Sequence, residues 1–87
     1  MLTGDQIAAA RRLAGIRSQA ELAVAAGVSR PTVERAEAAR ALIPSMNCDA
    51  MARIVRALEA AGVLFHLREG DPLAGGVGMR LRAPEET

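Results

Sequence analysis

The N-terminal part of the chain alternates apolar and polar positions with a helical period, and residues that cap or stop helices interrupt the pattern. The first helix should start at Thr3–Gln6, which has the form of a capping box, and should end at Gly15. A second capping box, Ser18–Glu21, starts another helix at once, and Gly27 ends that helix after two turns. The pattern therefore predicts two short helices in the first third of the chain.

The middle of the chain predicts two more helices. Ser29 is suited to cap the third helix, which fades near Arg40. Either Ser45 or Asn47 can cap the fourth helix, and Gly62 ends it. The fourth helix has the strongest amphipathic pattern in the chain, because apolar residues recur at i, i+3, i+4 and i+7. These residues are Met51, Ile54, Val55 and Leu58.

After Gly62 the apolar period changes to two, which is typical of β-strands. Two alternating runs flank a Gly/Pro-rich loop at residues 69–76, so the pattern predicts a β-hairpin with one apolar face. The residues of that face are Val63, Phe65, Leu67, Val77, Met79 and Leu81. An isolated two-stranded hairpin is marginal in water, so this face should lie on the helices, pair with a second copy of the chain, or do both.

The composition indicates one small domain with a core of aliphatic side chains. The chain has 87 residues, one Phe and neither Trp nor Tyr, so Ala, Val, Leu, Ile and Met must fill its interior. A domain of this size buries roughly 60–65% of its unfolded surface, and a partner surface would add to its stability. We expect residues 1–62 to form the main helical unit, residues 63–82 a dimerisation hairpin, and residues 83–87 a tail.

The charged and reactive residues do not favour catalysis. The net charge of +1 is weak for a nucleic-acid binder, and all eleven basic residues are Arg. Cys48 is the only cysteine, which suits a reducing cytoplasm, and His66 should lie on the polar face of its strand. The glycine-rich run Gly75–Gly78 lacks the GK[ST] ending of a phosphate loop. We therefore expect no enzymatic activity, cofactor or metal site, and no membrane contact, since no apolar run approaches ~20 residues.

Three residues around the break at Gly27 have the spacing of a helix-turn-helix. Ala23 supplies a small residue where two helices cross, Gly27 accepts the positive φ that a tight turn needs, and Val33 can pack inward from the second helix. In this arrangement Gly27 lies in the turn that connects the second and third helices. The turn leaves the first turn of the third helix free to enter a major groove of DNA. A plain αα-corner in a helical bundle is the alternative that the spacing leaves open.

The segment SQAELAVAAGVSRPTVERAE resembles the helix-turn-helix of phage repressors and of the Cro/CI or XRE family of bacterial regulators. The preceding AAARRLAG resembles the first helix of that family, and the resemblance covers about Leu2 to Ala61. It implies a mainly α fold, namely a four-helix lambda-repressor-like helix-turn-helix domain, here with a C-terminal β-hairpin. It also implies double-stranded DNA as the partner. The chain departs from the family where Ala38-Ala39-Arg40 replaces the glycine that commonly follows Glu37.

The resemblance also implies a pair between an Arg of the first helix and a Glu at the end of the third, which correspond to Arg11 and Glu37. Glu37 lies on the Val33 side of its helix and should face inward, so it needs a partner. The alternative is that both are solvated surface charges. The family's glutamine at the start of the second helix corresponds to Gln19, which would contact a phosphate from a helix N-terminus.

The outward face of the third helix holds the residues that we expect to contact DNA. The resemblance places base contacts at Arg30, Pro31 and Arg35, and Glu34 shares their face. Arg can donate two hydrogen bonds to guanine, Glu can accept from cytosine or hold a neighbouring Arg, and Pro can only contact a thymine methyl group. Each Arg could instead contact a phosphate or stay solvated. The candidates for phosphate contacts, which set register and salt dependence, are Arg17, Gln19, Thr32 and Arg40.

These features favour a small DNA-binding transcriptional regulator, a repressor that acts as a homodimer on a palindromic operator. Two modules would make twice the contacts of one, and the apolar face of the hairpin would join them. Two alternatives remain open: an antitoxin that binds a toxin protein as well as DNA, and a helix-turn-helix module that binds a protein partner without DNA, such as an antiactivator. The low net charge and Pro31 at a reading position slightly favour the second alternative.

Overall fold

A computed structural model of the protein describes residues 2–66 and 78–81, with the side chains of residues 2–65. Its elements in chain order are α1 (Gly4–Leu13), α2 (Gln19–Ala26), α3 (Arg30–Ala38), α4 (Cys48–Ala60), β1 (Val63–His66) and β2 (Gly78–Leu81). The predicted mainly helical fold with four helices is confirmed, and the two strands pair with each other. Leu67, Val77 and the predicted loop between them lie outside the described residues.

The helix starts follow from local capping. The Thr3 hydroxyl accepts from the backbone N of Gln6 at 3.2 Å, and the Gln6 side chain accepts from the backbone N of Thr3 at 2.9 Å, which completes the predicted capping box. At α2, the Ser18 hydroxyl accepts from the backbone N of Glu21 at 3.1 Å. The Glu21 carboxylate, however, accepts from the backbone N of Arg17, one residue before the cap. Only half of the second predicted box is therefore formed.

Glycines end the first two helices, and an asparagine starts α4. Gly15 and Gly27 follow α1 and α2 with φ of 78° and 70°, a left-handed conformation that residues with a side chain adopt at a cost. Of the two predicted caps for α4, Asn47 is the one that forms, since its side chain accepts from the backbone N of Ala50 at 2.7 Å. Ser45 is exposed in the preceding connector.

The core is a single cluster to which all four helices and β1 contribute. α2 packs against both α3 and α4, α1 packs against α3, and β1 lies on α4. The largest fully buried side chains are Ile7, Leu22, Val33, Ile54, Leu58 and Val63. In the stripe predicted for α4, Val55 is half-buried at the edge while the other three residues are buried. Because both α1 and α2 pack against α3, two helices fix the position of α3.

The start of α1 lies directly against the end of α3. Gly4 is buried, and a Cβ at this position would lie 2.6 Å from both the Ala36 carbonyl oxygen and the backbone N of Arg40. The backbone N of Asp5 donates to the Arg40 carbonyl at 2.8 Å. The backbone N of Gly4 donates to the Leu42 carbonyl at 3.1 Å. The first N–H groups of α1, which have no partner within their own helix, thereby hold the chain that leaves α3.

The chain leaves α3 through a left-handed residue. Arg40 has φ of 52° and is the only non-glycine residue of the described part with a positive φ. Arg40 belongs to Ala38-Ala39-Arg40, which stands where the family that the sequence resembles commonly has a glycine. A left-handed residue with a Cβ costs roughly 1–2 kcal/mol, so this turn is strained unless its contacts compensate. The two hydrogen bonds from the start of α1 are such contacts.

β1 and β2 pair antiparallel, with Val63 opposite Leu81 and Phe65 opposite Met79. Two of the predicted apolar positions of β1 are thus paired with two of those predicted for β2. Val63 is completely buried in the core and Phe65 packs against that core, so the chain's own helices cover this end of the face. Val63, which we predicted as a dimerisation residue, belongs instead to the core of the single chain.

Candidate nucleic-acid interface

The joint between α2 and α3 has the geometry of a helix-turn-helix. Gly27 turns the chain, and the backbone N of Val28 donates to the Ala23 carbonyl at 3.0 Å. Ala23 is 4% exposed and Val33 is fully buried, so both of these residues face the core as the spacing predicts. Ser29 then caps α3. The two helices are fixed to each other, and the first turn of α3 remains at the surface.

α3 has one buried face and one solvent face. Val33 and Ala36 are buried against the other helices. The four residues predicted to contact bases are all exposed: Arg30, Pro31, Glu34 and Arg35. Two guanidinium groups and one carboxylate therefore lie on the outer side of a capped helix of nine residues.

Two contacts within this outer face orient its arginines. The Nε atom of Arg30 lies 3.5 Å from a carboxylate oxygen of Glu34, as an exposed i,i+4 ion pair. The Nε–H of Arg35 donates to the Pro31 carbonyl at 3.4 Å. An exposed ion pair adds little stability, but it narrows the directions that a side chain samples. In the predicted base contacts, the terminal nitrogens of these arginines are the atoms that would meet guanine O6 and N7.

A nearly buried polar cluster, the Glu37 cluster, lies behind this face and consists of Arg11, Gln19 and Glu37. Arg11 Nε and Nη2 donate to Glu37 Oε2 and Oε1 at 2.8 and 3.2 Å, and the two side chains are 9% and 8% exposed. The Gln19 amide also donates to Glu37 Oε1, at 3.1 Å, and Arg11 Nη1 donates to the Ile16 carbonyl. Arg11 and Glu37 thus form a bidentate ion pair that joins α1 to α3. The alternative, that both are solvated surface charges, is wrong.

The comparison with known families agrees with this geometry. A family model described as a helix-turn-helix domain matches residues 3–67, well over half of the chain. The chain belongs to this helix-turn-helix family. The comparison with curated proteins finds no match. Membership in the family supports DNA binding in a regulatory role, and α1 to β1 all lie within the matched helix-turn-helix domain.

The four predicted phosphate-contact residues of the helix-turn-helix domain differ in their present contacts. Arg17 and Arg40 are exposed. The Gln19 amide donates to Glu37, and the Thr32 hydroxyl lies 2.8 Å from the hydroxyl of the residue that caps α3. Of the four residues, Gln19 is the one whose side chain is bonded to a nearly buried group, whereas a phosphate contact would require it to face solvent. The DNA contacts of all four residues stay predictions.

Two clefts border opposite sides of α3 in the helix-turn-helix domain. The cleft toward α1 and α2 is lined by polar residues that include Asp5, Arg12, Gln19, Glu34 and Arg40. The cleft toward the start of α4 is lined by polar residues that include Thr32, Arg35, Ser45 and Asn47. Sequence reasoning missed Arg12, because a second arginine beside Arg11 has no distinct signature. Arg12 is exposed, and it is the tertiary structure that places it in the cleft beside α3.

Other kinds of site have little support in the described part of the helix-turn-helix domain. No group of three or more His, Cys, Asp and Glu side chains there could hold a metal ion. None of the helices in residues 2–66 has the length and apolar character needed to span a membrane. Cys48 is a free, exposed thiol at the first residue of α4, and the side chain of His66 lies outside the described part.

Proposed function

We propose that this helix-turn-helix protein is a sequence-specific, DNA-binding transcriptional regulator of the Cro/CI or XRE type. It acts as a repressor, in which a homodimer occupies a palindromic operator. α3 enters the major groove, and residues on either side of α3 hold the two DNA backbones. The protein works in the bacterial cytoplasm, where that DNA lies.

The exposed face of α3 is the observation that carries this proposal. Its inner residues are locked into the core, so α3 is a rigid support for the side chains that point outward. Arg30, held near Glu34, can meet a guanine, and Arg35 can meet a second base further along the groove. Each bidentate contact contributes about 1–3 kcal/mol of discrimination against the wrong base.

The clefts beside α3 suit the two DNA backbones. Arg12 and Arg40 supply the positive charge of the cleft toward α1. Three carboxylates line the same cleft and oppose a phosphate, namely Asp5, Glu34 and the nearly buried Glu37. Thr32 supplies a hydroxyl to the other cleft. Because positive and negative groups alternate on this surface, non-specific binding should be weak, and contacts with bases should supply much of the affinity.

A homodimer follows from the small size of the module. A single module buries roughly 600–1,000 Å² on DNA, and two half-sites about 34–36 Å apart double the contacts. In the described part of the chain, β1 and β2 pair with no strand other than each other, so each keeps an edge that a second copy can extend. Phe65, Leu67, Val77, Met79 and Leu81 remain the residues that we propose for this interface.

Selection of binding sites from a randomised duplex pool tests the proposal. We expect the intact protein to enrich an inverted repeat with a guanine in each half-site. In a gel shift at physiological salt, that repeat should bind at least about 10³-fold more tightly than random duplex. Enrichment of no sequence, or equal binding to every duplex, would contradict a sequence-specific regulator.

An exposed apolar pair favours one second candidate, a module that binds a protein partner. Leu42 and Ile43, in the connector between α3 and α4, are 72% and 55% exposed. Apolar side chains of this size suit a protein surface, as in an antitoxin that binds its toxin or in an antiactivator. If the folded protein binds no duplex, this second candidate replaces the first. If it binds DNA, Leu42→Ser combined with Ile43→Ser separates the two roles, because operator binding should be unchanged.

A further inference from the structure

Gln19 lies at the boundary between the Glu37 cluster and solvent. It is the first residue of α2, and its side chain is half-buried. A primary amide has two N–H donors that diverge from one nitrogen. One of these donors points to Glu37 Oε1, over a distance of 3.1 Å. The other is therefore directed away from the carboxylate.

Glu37 is itself held firmly. Its two carboxylate oxygens accept three hydrogen bonds, two from Arg11 and one from Gln19. Arg11 is further tied to the Ile16 carbonyl, so the acceptor of Gln19 is anchored to α1 and to the loop after it. A hydrogen bond to a buried, charged acceptor is stronger than one between neutral groups. The Gln19 side chain has thus lost much of its rotamer freedom before any ligand arrives.

We propose that Glu37 is a positioning residue for DNA: it holds one N–H of the Gln19 amide so that the other N–H is presented to a DNA phosphate. Gln19 lines the cleft toward α1, on the path that we propose for one backbone. The cleft also holds two arginines and three carboxylates, namely Arg12, Arg40, Asp5, Glu34 and Glu37. A nearly buried carboxylate thereby becomes part of a phosphate contact through the amide that it holds. This inference rests on the proposed function.

The side-chain amide of Gln19 can be observed directly by NMR in the intact protein. In the free protein, the amide proton that faces Glu37 should lie downfield of the usual range for glutamine. Glu37→Gln replaces the charged acceptor with a neutral one, so the proton should move back toward the usual range. Glu59→Gln, at an exposed carboxylate near the end of α4, should leave it unchanged. When the selected duplex is added, the second proton should move and the first should keep its position.

Ethylation interference on the selected duplex locates the phosphate. Gln19→Met keeps most of the side-chain length without the amide, so interference at one phosphate in each half-site should disappear. Glu37→Gln should weaken interference at that same phosphate several-fold, although Gln19 is still present. Glu59→Gln should change no position. A purely structural role for Glu37 would lower thermal stability and leave the interference pattern as it is.

The outcomes separate this inference from the proposed function. Unchanged interference in Gln19→Met, or full interference at the same phosphate in Glu37→Gln, would overturn the inference and leave the regulator intact. Binding of no duplex by the wild-type protein would overturn both. If Glu37→Gln does not fold, the wild-type spectrum decides: loss of the downfield proton when DNA binds would mean that Gln19 leaves Glu37, against the inference.

Discussion

Gly4 and Ala36 lie so close together that a Cβ on Gly4 would approach the Ala36 carbonyl oxygen to 2.6 Å. The glycine is thus a point of direct contact between the start of α1 and the backbone of α3. Gly4→Ala should destabilise the protein by about 1–3 kcal/mol, because the helices must move apart. Helix propensity alone predicts the opposite sign, a gain of up to about 1 kcal/mol. Urea unfolding measures the difference.

A matched control for Gly4 lies on the same helix. Ala9 is exposed in α1, so Ala9→Gly should cost only about 1 kcal/mol through propensity and should not alter packing. If Gly4→Ala proved as stable as the wild type, α1 could move away from α3 without a loss of unfolding free energy. The contact would then not determine how the two helices pack.

Arg40 combines backbone strain with a proposed role in binding. Arg40→Gly should raise the free energy of unfolding by about 0.5–1 kcal/mol, since glycine adopts φ of 52° without the Cβ clash. The same change should weaken binding to specific and random duplexes alike and lower the salt slope by about 1. Ala39→Gly, at a φ of −67°, is the control and should destabilise instead. Unchanged DNA affinity in Arg40→Gly would remove Arg40 from the phosphate contacts.

Arg11 and Glu37 should be strongly coupled. Replacing either residue alone leaves a nearly buried charge without its partner, and should cost roughly 3–5 kcal/mol of unfolding free energy. Replacing both with apolar residues of similar size should cost less than the sum, with a coupling of about 0.5–3 kcal/mol. The exposed pair of Asp49 and Arg53 is the control, with an expected coupling of about 0.3–0.5 kcal/mol. Additive effects at the first pair would contradict this.

Arg30 and Arg35 should determine sequence choice. Arg30→Ala or Arg35→Ala should cost about 1–3 kcal/mol on the selected site and relax discrimination at one base pair. The protein should stay folded, because both side chains are exposed. Anisotropy titrations on the selected duplex and on single-base variants measure this. An equal loss on specific and random DNA would identify a phosphate contact instead.

The hairpin should join two copies of the chain. Sedimentation of the intact protein at tens of micromolar should show a dimer. Phe65→Glu should give a monomer or an unfolded chain and abolish operator binding, and circular dichroism distinguishes these two results. Phe65 also packs against the core, so some loss of stability is expected in either case. A clean monomer of the intact protein with full operator affinity would contradict the dimer.

Local signals in the sequence determined where the helices begin and end. The Thr3 box, the Gly27 stop and the Ser29 cap depend on contacts between residues at most four apart, so a pattern of residue types is enough to predict them. Where two local signals compete, the sequence leaves the choice open. Both Ser45 and Asn47 could cap α4, and only the folded chain shows that Asn47 does.

The sequence also determined the helix-turn-helix joint and the outer face of α3. Once Ala23, Gly27 and Val33 set which side of α3 faces inward, the exposure of Arg30 and Arg35 follows from the helical period. The period of two likewise indicates which residues of each strand share a face, but the pairing of Val63 with Leu81 is seen only in the folded chain. The burial of Val63 against the helices could not be predicted in this way, because the apolar period of a strand does not indicate which surface its apolar face contacts.

The tertiary structure alone decided how distant parts of the chain meet. The approach of Gly4 to Ala36 and the bond from Gln19 to Glu37 join residues of different helices. They depend on interhelical distances and angles that the whole core sets. From the sequence around Gln19, a solvent-exposed amide at the start of α2 is as plausible as an amide bonded to Glu37. The physical reason is that the Gln19 amide bonds to a charged acceptor in preference to a neutral one, and only the packing of α1, α2 and α3 places a nearly buried carboxylate within its reach.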